Sequence, residues 1–511
     1  MLLFHLFLPS SLKSKKSKNN QGVVTVMTTT DAALRQKVTD RIRNYEHLVK
    51  KDVYRQNFHL MPPVGLLNDP NGLIQWKGVY HVFYQWQPFK TGHGAKFWGH
   101  YTSTDLVNWQ HEEAALTPSD WFDQNGCYSG SAVIDDGRMY VMYTGNVRDE
   151  QGNRETYQCL AVSEDGVHFE KKGVVATLPA GFTAHFRDPK VWKRNGKWYM
   201  VLGAQSEDLK GHLVLFTSDT LDNWTFQGII AGSGKNGLDH FGYMWECPDL
   251  FELDGQDVLI VSPQGLKPDG FKYNNTHQSG YFVGTFDDRT YQYTHGAFEE
   301  LDRGFDFYAQ QTFQDESGRR ILMGWMGVPD QGEEHHPTIS YQWIHCLTIP
   351  RELRLDDEGR LIQKPVSELR SMRTNEQEHV FHVKRSVHSI PVEDLTSAEV
   401  FIDQIETQKG FECCIRAAAR IIYDKDEGKL TLERDRFEDR TKEVREVEIE
   451  ELQDLHIFID ASSIEIFVNG GREVFTARYF PSPGNKSISI SGRNETKLKL
   501  KTWHLQKEAD H

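Results

Sequence analysis

Three acidic side chains are the strongest candidates for chemistry in this chain of 511 residues. Asp69, Asp188 and Glu246 precede the glycine of the next predicted turn by 9, 8 and 9 residues, respectively. Residues at one phase of a long repeat come together in space although they are far apart in sequence. Pairs of carboxyl groups cleave glycosidic bonds, and a third fixed anion would stabilise the positive charge of that transition state. The set therefore predicts a glycosidase.

Asp69 is the candidate nucleophile. Asn68 and Asn71 flank its segment, and Pro70 fixes the backbone that follows. Amide donors favour the ionised carboxylate, which is the nucleophilic form. A structural Asp-Pro-Asn-Gly turn is the alternative, because all four residues form turns readily. The position of Asp69 in the repeat favours the functional interpretation.

Glu246 is the candidate general acid, because Trp245 and Cys247 flank it and apolar surroundings raise the pKa of a carboxyl group. Its structural alternative is an ordinary polar residue of a strand. Asp188 follows Arg187, and the positive charge of this neighbour would keep Asp188 ionised. If Asp188 is charged, its role is that of a fixed anion and not that of a proton donor. The alternative is that Arg187 and Asp188 form a purely structural pair.

A long repeat supplies the elements that would position these acids. Five turns, each followed by an apolar strand, have glycines that are 59, 59, 59 and 63 residues apart. The turns are Lys77-Gly78, Asp136-Gly137, Asn195-Gly196, Asp254-Gly255 and Ser317-Gly318. The preceding strands open on Asp69, Ser129, Asp188, Glu246 and Gln310. Such a repeat is typical of a closed five-bladed β-propeller, in which the innermost strand of every blade lines one channel.

A second domain follows the repeat. Beyond residue 375 the sequence alternates between apolar and polar residues in short runs, which is the pattern of an antiparallel β-sandwich. The fold class is therefore all-β. The predicted divisions are a tail with a helix at 29–54 over residues 1–54, the propeller over 55–360, a linker over 361–380 and the sandwich over 381–511. We expect the sandwich to support the propeller or to form the contact of a homodimer.

Composition excludes several classes of protein. The net charge of -15 argues against nucleic acid as a partner, because phosphate backbones require a basic surface. The six cysteines include no CxxC pair, so neither a metal site nor a disulfide framework is predicted. The sequence contains no glycine-rich loop of the kind that binds phosphate, and no cofactor is predicted. No apolar run approaches the roughly 20 residues of a membrane span.

The N-terminus has the wrong order of charges for a signal peptide. Residues 2–9 are apolar, but the lysines follow this stretch instead of preceding it. Met27 is a more natural start of the chain. With the cysteine usage, this predicts a cytoplasmic protein.

The motifs together resemble glycoside hydrolase family 32, the β-fructofuranosidases or invertases. The ordered set is far more specific than any of its members, and it runs from about residue 55 to the C-terminus. It comprises LLNDPNG (66–72), FYQWQP (83–88), FWGHYTS (97–103), YSGSA (128–132), FRDPKVW (186–192), WECPDLF (245–251), DFYAQQTF (306–313) and SSIEIFVNGG (462–471). The resemblance implies a five-bladed propeller followed by a β-sandwich, which agrees with the repeat.

The resemblance also implies roles by position. Asp69 would attack the fructosyl anomeric carbon, Glu246 would protonate the leaving glucose and then activate water, and Asp188 would hold fructose hydroxyls and favour the transition state. The remaining substrate-binding residues that it implies are Leu66, Leu67, Asn68, Gln85, Trp98, Tyr128, Ser129, Arg187 and Tyr308.

One loop departs from the family pattern. Many members carry a tryptophan before the Trp-Gly-His motif, whereas this chain has FKTGHGAKF (89–97). Lys90, His93 and Lys96 make this rim cationic, which resembles the bacterial sucrose-6-phosphate hydrolase branch. The three residues could meet a phosphate on the glucose, and a solvated loop with incidental lysines is the alternative. A phosphate contact predicts that Lys96→Ala raises KM for sucrose 6-phosphate but not for sucrose.

Three functions compete at this point. The leading prediction is a retaining β-fructofuranosidase acting on sucrose or its 6-phosphate, with a fructan hydrolase or fructosyltransferase as a variant of the same chemistry. An inverting five-bladed glycosidase that acts on arabinan or xylan would differ in the anomer of its first product. A non-catalytic sugar-binding propeller is disfavoured by the presence of all three acids.

Overall fold

The predicted fold of a five-bladed propeller followed by a β-sandwich is confirmed. The computed structural model describes residues 15–18, 24–27, 29–392 and 394–507. Five separate sheets of four or five strands form the blades, and two sheets of six strands form the sandwich. Residues 2–9, on which the signal-peptide argument depended, lie outside the described residues.

The blade strands follow each other along the chain, from the channel outwards. Blade I has Gly65–Trp76, Val79–Gln87, Phe97–Ser103 and Gln110–His111. Blade II has Cys127–Asp135, Arg138–Arg148, Arg154–Ser163 and Phe169–Thr177. Blade III has Phe182–Arg194, Lys197–Ser206, Gly211–Ser218 and Thr225–Gly232. Blade IV has Met244–Leu253, Gln256–Gln264, Gly280–Asp287 and Gln292–His295, with Glu299–Glu300 beside its third strand. Blade V has Tyr308–Gln314, Arg320–Trp325, Arg351–Leu355 and Leu361–Pro365.

The ring is closed by a short strand from the end of the propeller. Trp343–Ile344 pairs in parallel with the start of Gly65–Trp76 in blade I. This strand lies in the long connection between the second and third strands of blade V. The same connection contains the 3₁₀-helices Glu333–His335 and Pro337–Tyr341, and it brings Pro329 and Asp330 to the mouth of the channel.

The turn pattern has a direct backbone cause. In the first four turns both central residues have positive φ, as in Lys77 (53°) and Gly78 (78°), and this geometry matches the twist of the two strands that they join. The fifth turn is longer, because Gly318 N donates to Asp315 O and Asp315 N donates to Arg319 O. This difference accompanies the longer last interval of the repeat.

Every innermost strand carries a β-bulge where it reaches the channel. The register shifts fall between Leu67 and Pro70, Cys127 and Gly130, Arg187 and Lys190, Glu246 and Asp249, and Tyr308 and Gln311. Proline lacks the N–H that a ladder needs, and bulges tolerate it. Pro70, Pro189 and Pro248 stand at three of these bulges. A bulge re-aims side chains, so the three acids can all reach the channel although their phases differ by a residue.

The predicted N-terminal helix is present but shorter than expected. It spans Thr29–Val49, and the chain continues to Arg55 in turns. The helix packs against blade I, where Thr117 Oγ1 donates to Asp31 at 2.6 Å. Before it, Lys15–Lys18 and Val24–Met27 pair antiparallel.

The sandwich has a core of its own. One sheet contains Arg373–Lys384, Glu495–Leu505, Ser397–Thr407, Leu455–Asp460, Ser463–Val468 and Glu473–Arg478. The other contains Val387–Pro391, Ser487–Gly492, Gly410–Ile415, Ala419–Asp424, Lys429–Asp435 and Lys442–Glu448. The 3₁₀-helix Ser367–Met372 connects it to the propeller, and Asn469–Gly471 forms another 3₁₀ turn.

Buried ion pairs fix the sandwich to the propeller. Arg351 of blade V contacts Glu465 at 2.5 Å, and both side chains are fully buried. His59, which precedes blade I, lies between Asp460 at 2.8 Å and Glu465 at 2.9 Å. These contacts hold the two domains in one orientation. None of the helices among the described residues is long and apolar enough to cross a membrane.

Candidate active site

An open cavity of about 480 Å³ lies at the end of the channel where the bulges occur. Its wall brings together all three predicted acids, Asp69, Asp188 and Glu246. Most of the predicted binding residues also line it, namely Asn68, Gln85, His93, Lys96, Tyr128, Ser129, Arg187 and Tyr308. The repeat phase thus places residues from all five blades around one pocket.

Asp69 is held by hydrogen bonds from both sides. Asn68 Nδ2 donates to its Oδ1 at 2.8 Å, and Ser129 Oγ donates to its Oδ2 at 2.5 Å. Burial raises the pKa of Asp69, and the nearby charge of Glu246 raises it further, although both donors oppose the shift. The sequence suggested a carboxylate kept ionised by amides, whereas the structure shows that desolvation outweighs these donors.

Asp188 occupies a backbone conformation that is rare for a residue other than glycine. Its φ is 68°, within the bulge of blade III, and its N–H donates to Thr144 Oγ1 at 3.1 Å. Its carboxylate accepts from the backbone N–H of Cys247 at 3.0 Å. Non-glycine residues with positive φ are concentrated at functional sites, where the surrounding structure stabilises them.

Glu246 forms an ion pair with Arg187. Arg187 donates to Oε1 of Glu246 through Nε at 2.9 Å and Nη2 at 2.5 Å. Tyr308 OH and Gln264 Nε2 each donate to Oε2 at 2.7 Å. The alternative of a structural pair between Arg187 and Asp188 is therefore wrong, because the guanidinium reaches across to the next blade.

This pairing reverses the predicted charge states. Burial alone would raise the pKa of Glu246, but Arg187 and the Tyr308 hydroxyl outweigh burial and lower it. Burial, with the nearby charges of Glu246 and Asp69, raises the pKa of Asp188 to about 7, although Arg187 opposes the shift. In the free site these pKa values favour ionisation of Glu246 over ionisation of Asp188.

Lys96 and His93, in the loop at residues 89–97, form hydrogen bonds with other residues of the chain. The Lys96 side chain is buried, and its Nζ donates to Asn68 Oδ1 at 2.7 Å. His93 lies 3.1 Å from Lys96 through Nδ1 and 3.2 Å from Glu333 through Nε2. Burial lowers the pKa of Lys96 to about 7, although Asp69 and Glu333 oppose the shift. The loop thus connects to the nucleophile candidate through Asn68.

Four predicted residues lie elsewhere. Leu66, Leu67 and Trp98 are buried in the core of the propeller. Trp98 Nε1 donates to the carbonyl of Tyr128, so this tryptophan supports the wall from behind. Lys90 is exposed on the loop and does not form part of the cavity wall. All four are close to wall residues in the chain. Leu67 directly precedes Asn68, and neighbouring residues of a strand point to opposite faces.

Sequence reasoning missed several residues of the wall. The cavity is also lined by Asn125, Asn146, Arg148, Arg154, Gln264, Trp325 and Asp330. Gln264 ends the second strand of blade IV opposite Met244 in the ladder, and its side chain reaches Glu246. Its place at the channel end of a predicted strand was the only available signal. Cys247 was treated as an apolar neighbour, yet its Sγ lies 3.7 Å from Asp188 and 3.8 Å from Asp69.

Comparisons with known proteins decide the family. Residues 59–365 match the N-terminal domain of glycosyl hydrolases family 32, and residues 368–504 match the C-terminal domain of the same family. The chain belongs to glycosyl hydrolase family 32. The predicted assignments as a retaining glycoside hydrolase and as a β-fructofuranosidase are confirmed.

Relatives and solved structures of family 32 cover nearly the whole chain. A sucrose-6-phosphate hydrolase of Bacillus subtilis is 58% identical over 94% of this chain and 100% of its own length. The structure of a sucrose-6-phosphate hydrolase from Lactobacillus gasseri has a TM-score of 0.82 at 30% identity, covering 92% of this chain and 96% of that one. A mutant family 32 β-fructofuranosidase of Bombyx mori in complex with sucrose has a TM-score of 0.80 at 31% identity, covering 94% and 99%.

Proposed function

We propose that this family 32 enzyme hydrolyses sucrose 6-phosphate to fructose and glucose 6-phosphate. The observation that carries the proposal is the charge of the cavity wall. The wall has four carboxylates, those of the three acids and Asp330, and four Lys or Arg residues, of which Arg148 and Arg154 form no ion pair in the described part of the chain. A phosphate dianion would be bound favourably by such a wall. The relative from Bacillus subtilis, named for this substrate, supports the same choice.

In the first step, Asp69 would act as the nucleophile. One carboxylate oxygen of Asp69 bonds to C2 of the fructosyl unit while the bond from C2 to the bridging oxygen breaks. The carboxyl group of Glu246 gives its proton to that oxygen, and glucose 6-phosphate leaves as the free sugar. The hydrogen bonds from Asn68 and Ser129 orient the Asp69 carboxylate for this attack.

In the second step, Glu246 would act as the base. Its carboxylate removes a proton from water, the water oxygen bonds to C2, and the bond between C2 and Asp69 breaks. Glu246 regains its proton, and Asp69 regains its charge. The two displacements at C2 restore the original configuration, as retaining glycosidases require.

Arg187 and Asp188 would then have separate tasks. Arg187 neutralises Glu246 in the free enzyme, and sugar hydroxyls that compete for its N–H donors would release Glu246 to take up a proton. Asp188 would hold fructose hydroxyls and stabilise the positive charge that develops at C2. Its rigid bulge keeps the carboxylate in place without the sugar.

The proposed substrate is tested by comparing kcat/KM of the purified protein for sucrose and sucrose 6-phosphate, following hexose release. A large preference for the phosphorylated sugar is expected. Equal values would refute the substrate proposal and leave a general invertase. We also propose a cytoplasmic location, because phosphorylated sugars are made and kept inside cells. Activity that sediments with the cell envelope or appears in the medium would refute the location.

A further inference from the structure

We propose that Arg154, with Arg148 beside it, binds the phosphate group of the substrate. This assignment rests on the proposed substrate, sucrose 6-phosphate, and it names the residues that select for it. It places the phosphate on the wall formed by blade II. The loop at residues 89–97, which the sequence suggested for this role, lies on another part of the wall.

Arg154 is a half-buried arginine on the cavity wall with no partner in the described part of the chain. Its guanidinium forms no hydrogen bond or ion pair there, and its nearest ring contact is Tyr128, with 5.9 Å from Cζ to the ring centre. Arginines of this degree of burial normally pair with carboxylates or carbonyl groups. The available planar donors match the geometry of a phosphate.

The charges around Arg154 favour an anion. Burial lowers the pKa of Arg154, and the positive charges of Arg187 and Arg148 lower it further. Arg148 is exposed and uses Nη1 for a bond to the carbonyl of Gly152, so its remaining donors stay available. Two neighbouring guanidinium groups that repel each other, and that have no carboxylate partner among the described residues, are stabilised by a dianion placed between them.

Arg154 and Lys96 have different neighbours in the site. Arg154 is the ladder partner of Arg148 and lies over the ring of Tyr128 in blade II. Lys96 holds Asn68, which donates to Asp69, the group that would attack the fructosyl carbon. The phosphate of sucrose 6-phosphate is on the glucose. We therefore assign Lys96 to the fructosyl side of the site and the two arginines to the glucose side.

The loop at 89–97 has little capacity left for a phosphate. His93 uses both ring nitrogens, one towards Lys96 and one towards Glu333. Glu333 stays ionised, because its bonds with His345 and His93 outweigh burial and lower its pKa. A phosphate placed here would meet this carboxylate, and like charges at short range repel.

The test uses six variants of the full-length enzyme. Arg154→Gln, Arg154→Lys and Arg148→Gln probe the arginines of blade II. Lys90→Gln and His93→Gln probe the loop at 89–97, and Arg138→Gln is the matched control. Arg138 is an arginine of the same blade that packs on Tyr140, outside the cavity. We measure kcat/KM for sucrose and sucrose 6-phosphate, and competitive inhibition by glucose 6-phosphate and by glucose.

We expect Arg154→Gln to lower kcat/KM for sucrose 6-phosphate by about 10- to 100-fold, the range for losing charge-assisted hydrogen bonds, and to leave sucrose within about threefold. In Arg154→Gln, inhibition by glucose 6-phosphate should weaken in parallel, whereas inhibition by glucose should not change. Arg148→Gln should lower kcat/KM for sucrose 6-phosphate by a smaller factor. Arg154→Lys keeps the charge and recovers part of the loss. Arg138→Gln behaves as the wild type.

Two results would overturn the assignment while the substrate proposal stands. In one, the wild type prefers sucrose 6-phosphate and Arg154→Gln keeps that preference. In the other, Lys90→Gln or His93→Gln loses the preference for sucrose 6-phosphate, which would mean that the loop at 89–97 binds the phosphate. A wild type without preference would instead refute the proposed function itself. Retained activity on sucrose shows that each variant is folded.

Discussion

Arg187 donates two hydrogen bonds to Oε1 of Glu246, at 2.9 and 2.5 Å, although its neighbour in the chain is Asp188. The pair joins the innermost strands of blades III and IV. Arg187 lowers the pKa of Glu246, whereas burial raises the pKa of Asp188 to about 7. The pair therefore opposes protonation of the acid/base candidate in the free site.

Replacing Arg187 with Gln should raise the pKa of Glu246, because a cation that favours the ionised form is lost. The basic limb of the pH profile of kcat/KM, which reports the acid in the free enzyme, should move to higher pH. At its optimum, kcat/KM should fall by about 10- to 100-fold with the lost hydrogen bonds to charged groups. An unchanged basic limb would mean that Arg187 does not control the protonation of Glu246.

Variants of Asp69 and Glu246 should differ in how their activity depends on the leaving group of the substrate. Asp69→Asn and Glu246→Gln are each expected to lower kcat for sucrose by at least about 10⁴-fold, as for essential groups of other hydrolases. β-Fructosyl fluoride needs no proton donor for fluoride to leave. It should therefore restore a rapid first turnover in Glu246→Gln but not in Asp69→Asn. Equal recovery in both variants would contradict the assigned roles.

Lys96 should act on the nucleophile and so affect both sugars. Its Nζ holds Asn68, which in turn donates to Asp69. Lys96→Met removes a positive charge that lowers the pKa of Asp69, so the acidic limb of kcat/KM should move to higher pH. The shift should be equal for sucrose and sucrose 6-phosphate. A loss confined to the phosphorylated sugar would support the alternative, that Lys96 binds phosphate. Lys90→Met, on the same loop, is the control.

The interface between the domains should give stability a defined pH dependence. His59 is fully buried between Asp460 and Glu465. Burial would lower its pKa, but these carboxylates outweigh burial and raise it above 6.5. His59 lowers the pKa of Asp460 below the ordinary 3.8, and Arg351 together with His59 lowers the pKa of Glu465 below the ordinary 4.5. The stability from His59 is therefore complete below pH 6.5 and is lost as the pH rises through its raised folded pKa.

Urea unfolding of the wild type and of His59→Gln at about pH 6 and about pH 8, on either side of the ordinary histidine pKa, measures this contribution. At the lower pH the variant should lose about 3–5 kcal/mol in free energy of unfolding, the cost of leaving buried charges without their partner. The difference should shrink at the higher pH. His382→Gln removes an exposed contact with Glu495 and should leave unfolding unchanged. A loss in His59→Gln that does not vary with pH would indicate a packing defect rather than an ion pair.

The sequence by itself determined the architecture and predicted three acids that the structure places around one cavity. The 59-residue spacing is visible without a structure, because each blade needs the same turn chemistry at the same place. The prolines beside Asp69 and Asp188 also have a local cause, since a bulge tolerates a residue without an N–H. These features depend on residues that are adjacent in the chain, so they can be recognised from the sequence alone.

Only the tertiary structure decided which groups pair and which are charged. Arg187 and Asp188 are neighbours in the chain, but successive side chains of a strand diverge, so Arg187 reaches Glu246 in the next blade. Burial raised the pKa of Asp69 against its amide donors. Arg154 lacks a partner among the described residues because blade II presents it to the cavity. Such properties depend on distances between blades and on the exclusion of water, and neither is encoded in any single segment.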